Sequence, residues 1–290
     1  MSTASSASPP RLRLPDADWP MLAAGALALL LLMLALLAPS IAPLDPDRQS
    51  LMARLRPPLG FDRADPRFWL GTDQLGRDML SRCLHGLRLS LFLALFGTLT
   101  GLVIGTLLGM AAALGGRIAD ALIMGLVDVK LSLPFTLVAL VVIALAGSSV
   151  PVLVLVLGIA YWAHFARLVR AQIMALRELP YVEAARSAGA SGWRLARVHM
   201  LPNIASPIVV MTTLNFSNLI LLESALSFLG LGVQPPTATL GSMVGQGRDY
   251  MASAPWIVAA PGLLIVIVSL TVMLLGDHLR DRLDVRLRDR

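Results

Sequence analysis

Six membrane-spanning helices in an all-α integral membrane protein are what this sequence predicts, and three observations carry that prediction. Hydrophobic residues make up 56% of the 290-residue chain and charged residues only 14%. The mean hydropathy is +0.74, whereas soluble domains carry about a quarter charged residues. Six long apolar runs hold this excess, and they lack the polar stripe at helical spacing that a soluble all-helical core shows. The second run places Gly97, Gly101, Gly105 and Gly109 at every fourth position, a helix face on which a second helix can approach closely inside a bilayer.

Several function classes fall away at once. The single cysteine, Cys83, excludes an intrachain disulfide and a thiolate metal cluster, and no metal site is expected. The net charge of +6 is almost all arginine, Lys130 being the one lysine. In a chain this apolar that charge reads as membrane flanks rather than a nucleic-acid surface. No Gly-rich phosphate loop followed by Lys-Ser/Thr occurs, so the chain is not expected to hydrolyse ATP by that route. No His-Glu-x-x-His or Gly-x-Ser-x-Gly pattern occurs either, and His164, His199 and His278 lie far apart, against a membrane protease.

The elements follow in order. Residues 1–20 are rich in Ser, Pro and Arg and read as a tail. Met21 to Leu44 carries no charge, long enough to cross about 30 Å of hydrocarbon, and reads as an uncleaved anchor because its apolar stretch exceeds that of a signal peptide. Residues 45–88 form a polar loop. Within it Thr72 or Asp73 is expected to cap an amphipathic interfacial helix presenting Leu75, Met79, Cys83 and Leu87. Residues 89–275 are expected to form a five-helix core. Its spans are Leu89 to Leu114, Ala121 to Ala146, Val152 to about Phe165, Ile204 to Leu231 and Trp256 to Leu275, with a charged tail over 276–290.

An even number of spans puts both termini and the loop 172–203 on one side. That side holds fourteen arginines and the opposite side nine, which predicts cytoplasmic termini in the cytoplasmic (inner) membrane. Asp128, Lys130 and Glu223 fall at or near membrane depth, where ionisable groups are functional candidates. The plainer reading puts Asp128 and Lys130 at the interface, where they neutralise or snorkel. Glu223 is divided between gating and structural hydrogen bonding.

The loop 172–203 carries the sharpest signal. Pro180 suits the first turn of a helix, Glu183 is favoured by the helix dipole, and Gly189 can close the helix in a left-handed cap. With Tyr181, Ala184 and Ala185 this makes a short, small-surfaced helix that does not cross the membrane. Pro202 then breaks the chain after Leu201, and Asn203 is expected to cap the next span. Alone, this heptad also fits an ordinary solvated helix.

Glu183-Ala184-Ala185, Gly189 four residues on, and Leu201-Pro202 twelve and thirteen residues later resemble the EAA signature of bacterial ABC importer permeases. His199 stands where the broad pattern has an aliphatic residue, as it often does in the peptide-permease branch. Leu70-Gly71-Thr72-Asp73-Gln74-Leu75-Gly76-Arg77-Asp78, the stretch Glu223 to Pro236, and Gly276 to Asp284 are similar to the C-type subunit of dipeptide and oligopeptide permeases. Leu240, where tryptophan is usual, and Val285, where proline is usual, depart from the pattern.

The resemblance implies a type I ABC importer permease fold. It implies that Tyr181, Glu183, Ala184, Ala185, Gly189, Leu201 and Pro202 belong to a coupling segment docked on a cytosolic ATPase, and that Gly71, Thr72, Asp73, Gly76, Arg77 and Asp78 are a signature of the extracytoplasmic loop. Implied partners are a B-type permease, two ATPase subunits that bind the ATP and magnesium, and an external binding protein. Implied cargo is a dipeptide or oligopeptide, with nickel and glutathione as alternatives. The rival reading is an ion-coupled secondary carrier using Glu223 and Asp128, although no repeat between the halves supports it. A non-transporting assembly subunit would equally suit the glycine face.

Overall fold

The computed structural model describes residues 19–283. The tail before Trp19, with Arg11 and Arg13, and residues 284–290, with Asp284 and Val285, lie outside the described residues. Among the described residues five helices are long and apolar enough to cross a membrane, or six if one bent pair counts as a single span.

Helix α1, Trp19–Ile41, lies slightly N-terminal of the expected run because Pro43 follows, and the residue before a proline is steered out of the helical region. Helix α2, Met79–Leu114, has 36 residues and extends about 54 Å at 1.5 Å per residue. It therefore projects beyond a bilayer core. The structure corrects the expected interfacial helix. Thr72 and Asp73 cap nothing, Asp78 caps instead by accepting from Ser81 N at 2.8 Å, and the helix continues without a break into the second span. Gly76, at φ +73°, turns the chain just before it.

The third expected span is broken. Helix α3, Gly116–Ser132, meets α4, Phe135–Ala146, at a bend of 93°. Pro134 sits at the N-cap of α4 and Leu133 is extended at ψ 133°, as the residue before a proline prefers. Helix α5, Val150–Arg177, runs 28 residues, so the arginine-rich stretch past Phe165 is helical. A short helix α6, Pro180–Ser187, and a single turn α7, Gly192–Arg194, are followed by a π-helical turn over Leu195–Met200 and a 3-10 turn at Pro202–Ile204. Asn203 does not cap the next helix; its Nδ2 donates back to the carbonyl of His199. Helices α8, Ala205–Phe228, and α10, Trp256–Leu283, complete the bundle, with a half-length helix α9, Leu240–Gly247, between them. Thr239 and Ser242 close a reciprocal capping box that starts α9.

Helices α2 and α5 form the central seam. A Cβ on Gly97 would stand 2.8 Å from Leu157 Cβ, one on Gly101 3.0 Å from Gly158 O, and one on Gly109 2.6 Å from Ala166 O. Lipid tails are as apolar as leucine, so such close packing, rather than escape from water, holds these helices together. The core joins Leu87, Leu93, Leu153, Leu157, Leu219 and Ile220 across α2, α5 and α8. Leu29 at 61%, Leu122 at 70% and Leu145 at 84% exposure face outward, positions that suit lipid or a partner helix.

Candidate functional sites at the two ends of the bundle

At the Leu114 end of α2, the loop 172–203 folds onto the helix termini. Arg177 donates to the carbonyl of Ala113 at 2.6 Å, tying the end of α5 to that of α2, and Arg170 pairs with Asp120 of α3. Beneath α6, Val182, Leu195, Met200 and Ile204 join Met110, Ala113, Val169 and Ile173 in one buried cluster, with Ala185 and Leu201 packed against it. Val182 is fully buried, whereas Tyr181, Glu183 and Ala184 are exposed. Helix α6 is thus mounted by one face and presents the other, a low surface with one carboxylate and one phenol. It ends at Ser187 and is closed by Gly189, whose φ of +85° lies in the left-handed region, while Ala190 N returns to Ala185 O at 3.1 Å.

The structure therefore divides the expected coupling residues. Tyr181, Glu183, Ala184 and Gly189 share the exposed surface. Ala185 and Leu201 pack underneath, and Pro202 sets the turn that redirects the chain into α8.

At the opposite end, the signature residues form a buried knot. Thr72, Asp73, Arg77 and Asp78 are each at most 2% exposed. The Thr72 hydroxyl accepts from Arg56 N at 2.8 Å, and the Thr72 carbonyl accepts from Trp256 Nε1 at 3.0 Å. Asp73 accepts from Arg77 Nε at 2.6 Å and from the backbone N–H of Leu75 and Arg77, with Arg82 Nε at 3.6 Å. Gly71 and Gly76 adopt φ of +76° and +73°, and a Cβ on either would strike the backbone of the segment 50–58. These residues bind the loop to α2 and α10 and present no open surface. Arg82 is a fully buried guanidinium that also donates to Pro46 O at 3.2 Å; its place one turn into an amphipathic pattern gave no signal of burial. We expect Asp73→Ala to destabilise the chain by about 3–5 kcal/mol, because it leaves buried guanidinium charge uncompensated. Thermal unfolding of the purified complex measures this, and an unchanged midpoint contradicts the knot.

Glu223 is 1% exposed and accepts from Ser227 Oγ at 2.7 Å and Ser90 Oγ at 3.2 Å. Ser90 Oγ in turn accepts from Leu240 N, and Thr239 Oγ1 donates to Ser227 Oγ. One carboxylate thus links α8, α2 and the start of α9. Asp128 belongs elsewhere: it pairs with Arg167 at 2.7 Å on an exposed face, and Lys130 donates to the carbonyl of Ala160. The two carboxylates of the carrier reading lie in separate networks. No group of three metal-ligating side chains occurs among the described residues.

A bundle of spans with a small exposed helix fixed to one end defines a polytopic membrane protein of the permease type. The family model described as binding-protein-dependent transport system inner membrane component matches residues 87–289, and the chain belongs to that family. It is 43% identical to the di/tripeptide transport system permease protein DppC of Pseudomonas aeruginosa over 261 residues, 90% of this chain and 86% of that one. It is 41% identical to the dipeptide transport system permease protein DppC of Escherichia coli K12 over 259 residues, covering 89% and 86%. Among solved structures it resembles an inward-facing MetNI methionine ABC transporter chain at 22% identity and a TM-score of 0.56, covering 71% of this chain and 97% of that one. That likeness establishes the type I importer permease fold.

Proposed function

We propose that this chain is one of two permease subunits of an ATP-driven importer that moves dipeptides or short oligopeptides into the cytoplasm. The observation that carries the reading is α6, mounted on α2 and α5 with a small-residue face left open. The peptide cargo rests on the relatives' identity over nine-tenths of the chain.

In this scheme ATP and magnesium are held by two separate ATPase subunits, whose closure draws their surfaces together. Helix α6 moves with one of them. Because Val182, Leu195 and Met200 are packed against Met110 and Ile173, α2 and α5 move as α6 moves, and the spans rock between inward and outward access. A B-type permease supplies the other half of the pathway, and an external binding protein delivers cargo at the end bearing the Asp73 knot. The termini and α6 are then cytoplasmic. Glu223 holds α9 to α2 and α8 at the outer end, and we assign it to the closed outer gate.

The test is uptake by the complete complex in proteoliposomes with its binding protein and internal ATP. Labelled dipeptide should accumulate in the lumen that holds the ATP. Accumulation of nickel or glutathione in place of dipeptide overturns the peptide assignment, and uptake driven by a proton gradient without ATP overturns the importer assignment.

A further inference from the structure

Two hollows outside the coupling and knot regions adjoin one another. The larger, about 560 Å³, lies between α1, α2, α8 and α10 and is lined by Leu31, Leu32, Leu95, Phe96, Phe216 and Val268 among other apolar side chains. The smaller, about 370 Å³, opens at the knot end beside Pro46, Asp47, Arg82, His85 and Thr237. Arg88 and Phe92 line both. The two hollows therefore meet at these side chains as a groove that is greasy below and basic above, with Arg88 at the junction.

We propose that this groove holds one anionic phospholipid, with its phosphate at Arg88 and an acyl chain against Phe92 and Phe96. Charge decides the head end. Arg82 is already engaged by Asp73, Asp47 and the Pro46 carbonyl, and Asp47 is neutralised by Arg82 at 3.5 Å. Arg88 is exposed and makes no ion pair or hydrogen bond among the described residues. His85 stands beside it with Nδ1 held by the Ser81 carbonyl at 3.0 Å, which turns its other ring nitrogen away from the helix. An arginine at a membrane interface attracts anionic headgroups, and its planar fork matches phosphate oxygens.

Depth decides the tail end. Arg88 immediately precedes the uncharged run Leu89 to Leu114, so it sits at the bilayer boundary. From Arg88 to Phe96 along α2, or from Leu36 to Ala28 along the antiparallel α1, is about 12 Å of helix. One leaflet is about 15 Å deep, half of a 30 Å core. The groove thus follows an acyl chain down a single leaflet, the outer one in the orientation proposed above. Phe216, Val268, Thr271 and Val272 of α8 and α10 complete its lining.

The experiment uses the whole complex with phosphatidylglycerol as the probe. Native mass spectrometry is expected to show one phosphatidylglycerol retained per copy of this chain. A photoactivatable phosphatidylglycerol with its reactive group in the acyl chain is expected to label residues 88–96. Arg88→Gln should weaken retention about tenfold, the loss of a charge-assisted bond, and Leu32→Trp, which fills the groove, should abolish the labelling. Equal retention by Arg88→Gln and the parent overturns the proposal. So does labelling spread evenly over every outward helix face. So does crosslinking of Leu32→Cys to the partner permease, which would make the groove a protein interface. These readouts do not depend on cargo, so they fail independently of the peptide assignment.

Discussion

Gly105→Val is expected to remove most of the folded protein from the membrane. A Cβ at position 105 would lie 2.5 Å from Phe165 Cβ and closer still to the carbonyl oxygen of Trp162. Neither obstacle can swing away, one being backbone and the other the root of an aromatic side chain. Helices α2 and α5 must therefore separate along the seam that organises the core. Overpacking typically costs about 1–3 kcal/mol, and the rigidity of both neighbours puts this case at the upper end. Gly25→Val on α1 is the matched control, since a Cβ there meets nothing within 4 Å. Abundance of full-length protein in membranes and thermal stability of the purified complex should fall for the first and hold for the second. Equal behaviour of the two contradicts the seam.

Gly189→Val is expected to leave the bundle folded and abolish ATP-driven uptake. Space is not the obstacle at this position, because a Cβ at 189 meets nothing within 4 Å. The constraint is φ of +85°, where a β-branched residue is strained by about 1–3 kcal/mol. The strain is relieved by moving the end of α6, which displaces the exposed face of Tyr181, Glu183 and Ala184 relative to α2 and α5. Uptake by the reconstituted complex at parental abundance measures this, and normal uptake contradicts the cap as a positioning element. The two glycines act in opposite ways: Gly105 is required by a neighbour, Gly189 by its own backbone.

Both were legible in the sequence for those reasons. A glycine every fourth residue is a one-dimensional pattern, and a glycine closing a short helix obeys a local rule. The apolar runs were legible because the bilayer imposes length and charge on each separately. What the pattern did not carry depended on contacts between distant segments. The expected interfacial helix fails because Thr72 and Asp73 spend their side chains on Arg56, Arg77 and Arg82, partners that hydropathy does not reveal. The break in the third span follows from Pro134, visible in the sequence, although the 93° bend belongs to the packing around it. Helix α9 was hidden in a run rich in Gly, Pro and Thr, where Thr239 and Ser242 were its signal. Glu223 could be flagged by its depth, with Ser227 one turn further along the same helix, but its partner Ser90 emerges only when α2 and α8 meet.

The central claim is that the exposed face of α6 meets an ATPase. The native thiol, Cys83, is buried at 1% exposure, so in an Ala184→Cys chain the introduced side chain is the one that reacts with a short reagent carrying a thiol-reactive group at one end and a photoactivatable group at the other. In intact membranes that variant should crosslink to an ATP-binding subunit, and addition of Glu183→Lys should weaken both the crosslink and co-purification of that subunit. Failure to capture any ATP-binding subunit, in membranes and in the purified complex alike, would contradict the account.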